Sequence, residues 1–176
     1  MVSVFCLLFL ACGLRTVAAA QEFPIPDYIK AALASPARTD ADRKADMTRK
    51  PGELLAFGGV KPGDKVLELV AGGGYWEKLF SLIVGPKGHV YELVSDEEIK
   101  SNFTKPEPIK AIAADPAFSN VTVFTQPIAT VKPPEPVDLV WTVQNYHDLH
   151  DKGNRPIVTA FLSAARISKL TSLLSS

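Results

Sequence analysis

Cysteine is almost missing from this sequence, and the little there is sits at one end. Cys6 and Cys12 are the two cysteines in 176 residues. Both fall in an apolar N-terminal stretch. A chain that loses this stretch has no disulfide, no thiolate nucleophile and no cysteine metal ligand. An excess of charge is missing too: Lys plus Arg is 19 and Asp plus Glu is 19. Nothing in that balance points to nucleic acid or to an anionic membrane surface. The apolar run Val2 to Leu14 is 13 residues, short of the roughly 20 that a membrane-spanning helix needs. No internal repeat is visible. What remains is ordinary globular composition, 47% hydrophobic and 22% charged, with enough chain for one domain and one sizeable core.

The apolar run is followed by Arg15 and then by Val17-Ala18-Ala19-Ala20, with polar Gln21-Glu22 next. Ala18 and Ala20 supply the small residues of an export cleavage site. Residues 1–20 read as a signal peptide, which makes the protein exported, periplasmic or secreted, with no stable membrane span after cleavage. No Lys or Arg precedes the run, and a buried N-terminal helix is the alternative. Residues 21–50 carry Pro24, Pro26 and Pro36 and then the charged run Asp40 to Asp46. They read as a surface lead-in with one or two short helices.

From residue 51 onward the pattern becomes regular. Glu53 to Phe57 reads as a helix stopped by Gly58-Gly59. Lys61-Pro62-Gly63-Asp64 is a turn. Lys65 to Val70 is an apolar strand, broken by Ala71-Gly72-Gly73-Gly74. Tyr75 to Val84 has helical spacing, Gly85 to Gly88 is a turn, and His89 to Val94 is a second strand. That succession is a βαβ unit with parallel strands and a right-handed crossover. Short helices follow at Asp96 to Lys100 and Pro108 to Ala114. Further strands follow at Val121 to Phe124 and Val137 to Thr142, then a polar loop, Asn145 to Asp151, and a helix, Ile157 to Leu174.

The glycine loop carries the chemistry. Glu68 ends a strand, and Gly72, Gly73 and Gly74 let backbone come close to a ligand where side chains would block it. The following helix presents free N–H groups at the same place. Two ligand classes fit such a loop. A dinucleotide fingerprint wants G-x-G-x-x-G, but Glu77 stands where its third glycine belongs, and a carboxylate there repels a pyrophosphate. The other pattern is an acidic residue followed by G-x-G-x-G. Glu68 to Gly74 matches it except that Val70 replaces the first glycine. An acid before the loop suits a cationic amino-acid ligand.

Lys61-Pro62-Gly63-Asp64-Lys65-Val66-Leu67-Glu68 with Ala71-Gly72-Gly73-Gly74-Tyr75 resembles the first motif of class I S-adenosylmethionine-dependent methyltransferases. Arg49-Lys50-Pro51 and Gln144-Asn145-Tyr146-His147-Asp148-Leu149 extend the likeness to the exported or periplasmic members of that class. The resemblance covers roughly residues 35–152. It implies an α/β fold with a Rossmann-like open parallel sheet. The domains are then a signal peptide at 1–20, a lead-in at 21–50 and a partial methyltransferase domain at 51–176. It also implies methyl transfer from S-adenosylmethionine to a small-molecule or unknown acceptor; the charge balance gives the expectation of no nucleic-acid partner. The cofactor residues it implies are Glu68, Ala71, Gly72, Gly73, Gly74, Glu92, Asn145 and Tyr146, with His147 as the catalytic candidate.

The chain departs from that family at two places. At the end of the second strand the class places an acid on the ribose hydroxyls, and Val94 stands there; Glu92, on the same strand face, or Asp96 is the substitute. After Ile157 one helix and a Ser-rich tail replace further strands, so the sheet is expected to be incomplete at the C-terminus and less stable than a whole one. His147, Asp148, His150 and Asp151 have metal-ligand chemistry, but the family likeness explains His147 and Asp148 without a metal, and no metal is assigned. His147 suits substrate binding or proton abstraction at neutral pH. The rival function is a non-catalytic binding protein that keeps the fold.

Overall fold

The computed structural model describes residues 24–70, 72–102 and 106–143. Thirteen elements fall in that range. Helices α1 (Asp27–Ala34), α2 (Asp40–Arg49) and α3 (Pro51–Gly58) precede the first strand, β1 (Lys65–Leu69). Then come α4 (Tyr75–Val84), β2 (His89–Leu93), α5 (Asp96–Lys100), α6 (Pro106–Ala113), β3 (Val121–Phe124) and β4 (Leu139–Trp141), with three single 3-10 turns between them.

The element boundaries follow local chemistry. Helix α2 starts at a capping box in which Thr39 accepts from the Asp42 N–H and Asp42 accepts from the Thr39 N–H, which satisfies two orphan donors at once. It stops at Lys50, held at φ +45°, and Pro51 opens α3. Helix α3 stops at Gly59, φ +67°, a left-handed position that glycine takes without penalty. Helix α4 is bounded by Gly74 and Gly85, both at positive φ. The expected helix over 75–84 and the strands at 65–70, 89–94 and 121–124 are all present within a residue. The fourth strand is three residues shorter than its apolar run.

The four strands are all parallel, in the order β3-β2-β1-β4. The chain runs outward from β1 to β2 to β3, then returns to lay β4 on the other side of β1. The order reverses at β1, which is the switch point where open α/β sheets bind ligands beyond the carboxyl ends of their strands.

Strand alternation divides the core in two. Val66 and Val90 point to one face, where Ile29, Leu55, Leu79, Phe80 and Trp141 pack with them. Leu67, Leu69, Tyr91 and Leu93 point to the other, against Ile128, Val131 and Val137. Ile29 and Ala32 of α1 are buried in the first of these clusters, so the segment expected to be a surface lead-in also contributes core. Helix α2 docks by polar contacts: the Lys78 ammonium of α4 donates to both Asp42 carboxylate oxygens at 2.7 and 2.6 Å. Arg38 makes a two-pronged contact with Asp46 at 2.9 and 2.5 Å, and the Tyr75 hydroxyl donates to the same carboxylate. Among the described residues no helix is long and apolar enough to cross a membrane. The expected signal peptide at 1–20 and helix from Ile157 lie outside the described residues.

Candidate functional site

The site begins where β1 runs out. Val70 has φ +61° and Gly72 has φ +60°, and Gly74 at φ +76° turns the chain into α4. A left-handed conformation is cheap for glycine and costs an L-residue about 1–2 kcal/mol. Val70, in the place of the motif's first glycine, therefore keeps the glycine conformation and carries strain, a frequent property of ligand sites.

The three glycines are there for different reasons. A Cβ on Gly74 would overlap Ile112 of α6 and meet Glu77 Oε2 at 2.8 Å, so packing requires glycine. No described residue lies near an added Cβ on Gly72, but Gly72 needs its positive φ. Gly73 has no positive φ, and no described residue lies within 4 Å of its added Cβ. The packing of the described residues gives no reason for glycine at 73.

Beneath the loop lie three buried carboxyl groups. Glu68 of β1 is 2% exposed, and Glu92 of β2 and Glu77 of α4 are fully buried. Glu68 and Glu92 are register partners across the parallel pair, so both side chains stand on the sheet face that α4 covers. Glu77 lies in the first turn of α4 with its carboxyl folded back toward Gly74. Five of the oxygens, Glu68 Oε2 and both of Glu77 and Glu92, are buried with no hydrogen-bond partner among the described residues.

That arrangement holds protons. Burial pushes the Glu68 carboxyl up to about 8, against a smaller pull downward from Glu92 and from the Arg49 charge. Burial, with the neighbouring Glu68 charge, also pushes Glu77 up to about 8, while Lys78 lowers it. Burial raises Glu92 well above the carboxylate range, and the charges of Glu68 and Glu77 raise it further. As two carboxylates, Glu68 and Glu92 could only repel. Ionising both at once is unfavourable, so the pair keeps at least one proton.

The rim is cationic and aromatic. The Arg49 guanidinium sits 4.7 Å from the Tyr75 ring centroid, a cation–π distance. The Tyr75 ring meets Trp76 edge to face at 5.0 Å.

Of the expected site residues, Glu68, Gly72, Gly73, Gly74 and Glu92 are brought together. Ala71, Asn145, Tyr146 and His147 lie outside the described residues, as do Asp148, His150 and Asp151. Val94 is fully buried in an apolar cluster with Ile109 and Val123, so it offers nothing to a hydroxyl. Asp96 starts α5 and is half-buried. Among the described residues no group of three or more His, Cys, Asp or Glu is arranged to hold a metal ion. In the sequence Glu77 stands out only as an obstacle to pyrophosphate. Its position three residues into the helix after the loop is the signal that it belongs to the site.

No family model matches the chain. A protein-L-isoaspartate O-methyltransferase of Ignicoccus hospitalis is 37% identical over 65 residues, which is 37% of this chain and 28% of that protein's length. The chain thus spans little more than a quarter of this curated relative. Among solved structures, an S-adenosylmethionine-dependent methyltransferase from Aquifex aeolicus superposes with a TM-score of 0.55 and 22% identity, over 73% of this chain and 68% of that one. A solved protein-L-isoaspartate O-methyltransferase is a looser match, with a TM-score of 0.47 and 20% identity over 64% of this chain and 31% of its own. The parallel sheet of order β3-β2-β1-β4, its flanking helices and the superposition together give this chain the Rossmann-like fold of the class I methyltransferases.

Proposed function

We propose that the protein binds S-adenosylmethionine at the Gly72–Gly74 loop and transfers its methyl group. The observation that carries this reading is Glu68. It stands buried at the end of the switch-point strand, with one oxygen unpartnered among the described residues, two residues before a loop of alternating left-handed turns. An orphaned carboxyl oxygen fits the cationic amino-acid end of the cofactor. It does not fit a pyrophosphate. The relative from Ignicoccus hospitalis and the fold match support the same choice of cofactor.

When bound, the cofactor would supply an electrophilic sulfonium methyl group, with its thioether as the leaving group. The chain's task is binding, orientation and exclusion of water. Glu68 would hold the amino-acid end, and the Gly73 backbone leaves room for contact along the loop. The N-terminus of α4 presents backbone N–H groups beside it. Glu92 or Asp96 would substitute for the ribose-binding acid in whose place Val94 stands. Asn145, Tyr146 and His147 would face the methyl group and the acceptor, with His147 as the proton acceptor. The acceptor is a small molecule or another methylatable group rather than nucleic acid, in keeping with the neutral charge balance.

Replacing Glu68 tests the reading. Glu68→Gln keeps shape and removes the charge that meets the cofactor. S-adenosylmethionine binding should weaken by about 1.5–3 kcal/mol, the range for a hydrogen bond to a charged group. Circular dichroism should remain that of the parent. Unchanged affinity would remove Glu68 from the site. Export through cleavage near Ala20 belongs to the same proposal. Mass spectrometry of the protein from its native host should find a mature start at Gln21, and a soluble pool with intact Met1 would refute it.

A further inference from the structure

Three buried carboxyl groups carry five oxygens with no hydrogen-bond partner among the described residues, and the described packing does not account for them. Buried polar groups are nearly always partnered, and a buried carboxylate without a partner is strongly destabilising. Aliphatic residues at 68, 77 and 92 would continue the surrounding core of Val66, Leu79, Phe80 and Val90. Two of these acids come from adjacent strands in register. The third reaches back from α4 to the loop, with Oε2 2.8 Å from where a Cβ on Gly74 would stand. The cluster therefore lies against the glycine loop, at the carboxyl end of the switch-point strand.

We propose that Glu77 is a third acidic member of the cofactor site, and that the Glu68–Glu77–Glu92 cluster stores protons in the free protein and releases one when a cationic ligand docks. This rests on the reading of the loop as an S-adenosylmethionine site. It adds a residue, a linkage and a selectivity: the site accepts cationic ligands and rejects anionic ones in a pH-dependent way.

The charged surroundings support a switch rather than a permanent ion pair. From α2, Arg49 faces Glu68 but is committed to the Tyr75 ring at the rim. From α4, Lys78 faces Glu77 but donates to both oxygens of Asp42. Tyr75, also of α4, donates to Asp46, which holds Arg38. From β4 and α6 the contributions are Trp141 and Ile112, which carry no charge. The cations nearby are thus already engaged, and the cluster is left to neutralise itself with protons. The carboxyl pushed up to about 8 on Glu77 and on Glu68 agrees with that geometry. When a cation arrives, one carboxyl O–H gives its proton to bulk buffer, and the resulting carboxylate pairs with the ligand.

Calorimetric titration of S-adenosylmethionine into the protein at pH 6.5, in two buffers of different ionisation enthalpy, counts the protons directly. At this pH an amino-acid ammonium stays charged both free and bound, so released protons come from the protein. The expected result is release approaching one proton per cofactor, and affinity that rises up to roughly tenfold per pH unit from 5.5 to 7. Glu77→Gln, which preserves volume, should still bind S-adenosylmethionine but lose at least half of the proton release and flatten the pH slope, with an unchanged dichroism spectrum. Binding with no proton release and no pH slope would overturn this inference and leave the cofactor reading intact. Proton release unchanged in Glu77→Gln would overturn the assignment of Glu77. Absence of S-adenosylmethionine binding at every pH would overturn both.

Discussion

Gly73 is the residue at which function and folding separate most cleanly. Gly74 cannot take a side chain because Ile112 and Glu77 occupy the space, and Gly72 cannot take one without strain. A bulky substitution at either position would confuse loss of the ligand with loss of the fold. Gly73→Ala avoids this. It should leave thermal stability unchanged or raise it by up to about 1 kcal/mol through a less flexible unfolded chain. It should weaken S-adenosylmethionine binding about tenfold or more, equivalent to about 1.4 kcal/mol. Parallel thermal melts and titrations check both. A stable Gly73→Ala protein with parental affinity would show that no ligand approaches this point of the backbone. Glu77 gives a second residue-level prediction. Its folded pKa lies above the unfolded value near 4.5, so the folded protein holds more protons than the unfolded one between pH 4.5 and about 8. The associated stability is fully present below about pH 4.5 and is lost as pH rises through 8. Glu77→Gln should remove that part of the decline. It should stabilise the ligand-free protein by roughly 1–3 kcal/mol at pH 8, since a tenfold change in an acid's dissociation constant is worth about 1.4 kcal/mol. Urea melts across pH 5 to 8 would show it, and a variant as pH-sensitive as the parent would contradict it.

At the scale of elements, α2 is the case the sequence hides. Its residues, Asp40 to Arg49, are mostly polar, and no apolar stripe announces a buried face. It docks instead through the ion pair of Asp42 with Lys78, whose side chains are only 10% and 11% exposed. Burial pushes the Asp42 carboxyl up, and the Lys78 ammonium with the Thr39 donors more than reverses this, holding it below the ordinary carboxylate range. A pair this well buried is costly to break from one side. Asp42→Ala should destabilise the protein by about 3–5 kcal/mol, because it strands the Lys78 charge and removes a helix cap. The double variant Asp42→Ala with Lys78→Met should recover much of that loss, since no charge is left unpaired. Denaturant unfolding of the single and double variants distinguishes the cases. Additive losses would mean that the pair does not act as a unit. The elements from β1 onward are far easier to read. Val66, Val90 and Val121 mark strands by β-branching, and Gly74 and Gly85 bracket α4.

For the whole molecule, the parallel pairing of β1 with β2 follows from the βαβ pattern, whereas the return of β4 to the other side of β1 is seen only in the structure. The first is legible because strands, turns and glycines are local signals. The polar half of the site is less so. Glu92 reads as a substitute ribose acid and Glu77 as an obstacle to pyrophosphate, since sequence does not reveal that both are sealed under the loop beside Glu68. The left-handed Val70 reads as a departure from the motif, whereas the backbone keeps the motif's turn at that point. The architecture alone admits several functions, and the choice among them rests on which cofactor the carboxyl-lined loop accepts. Equilibrium titration of the purified protein with S-adenosylmethionine and, separately, with NAD decides this most directly. The account predicts saturable binding of S-adenosylmethionine below millimolar concentration and none of NAD. No affinity for S-adenosylmethionine at millimolar concentration, or tight binding of NAD in its place, would contradict it.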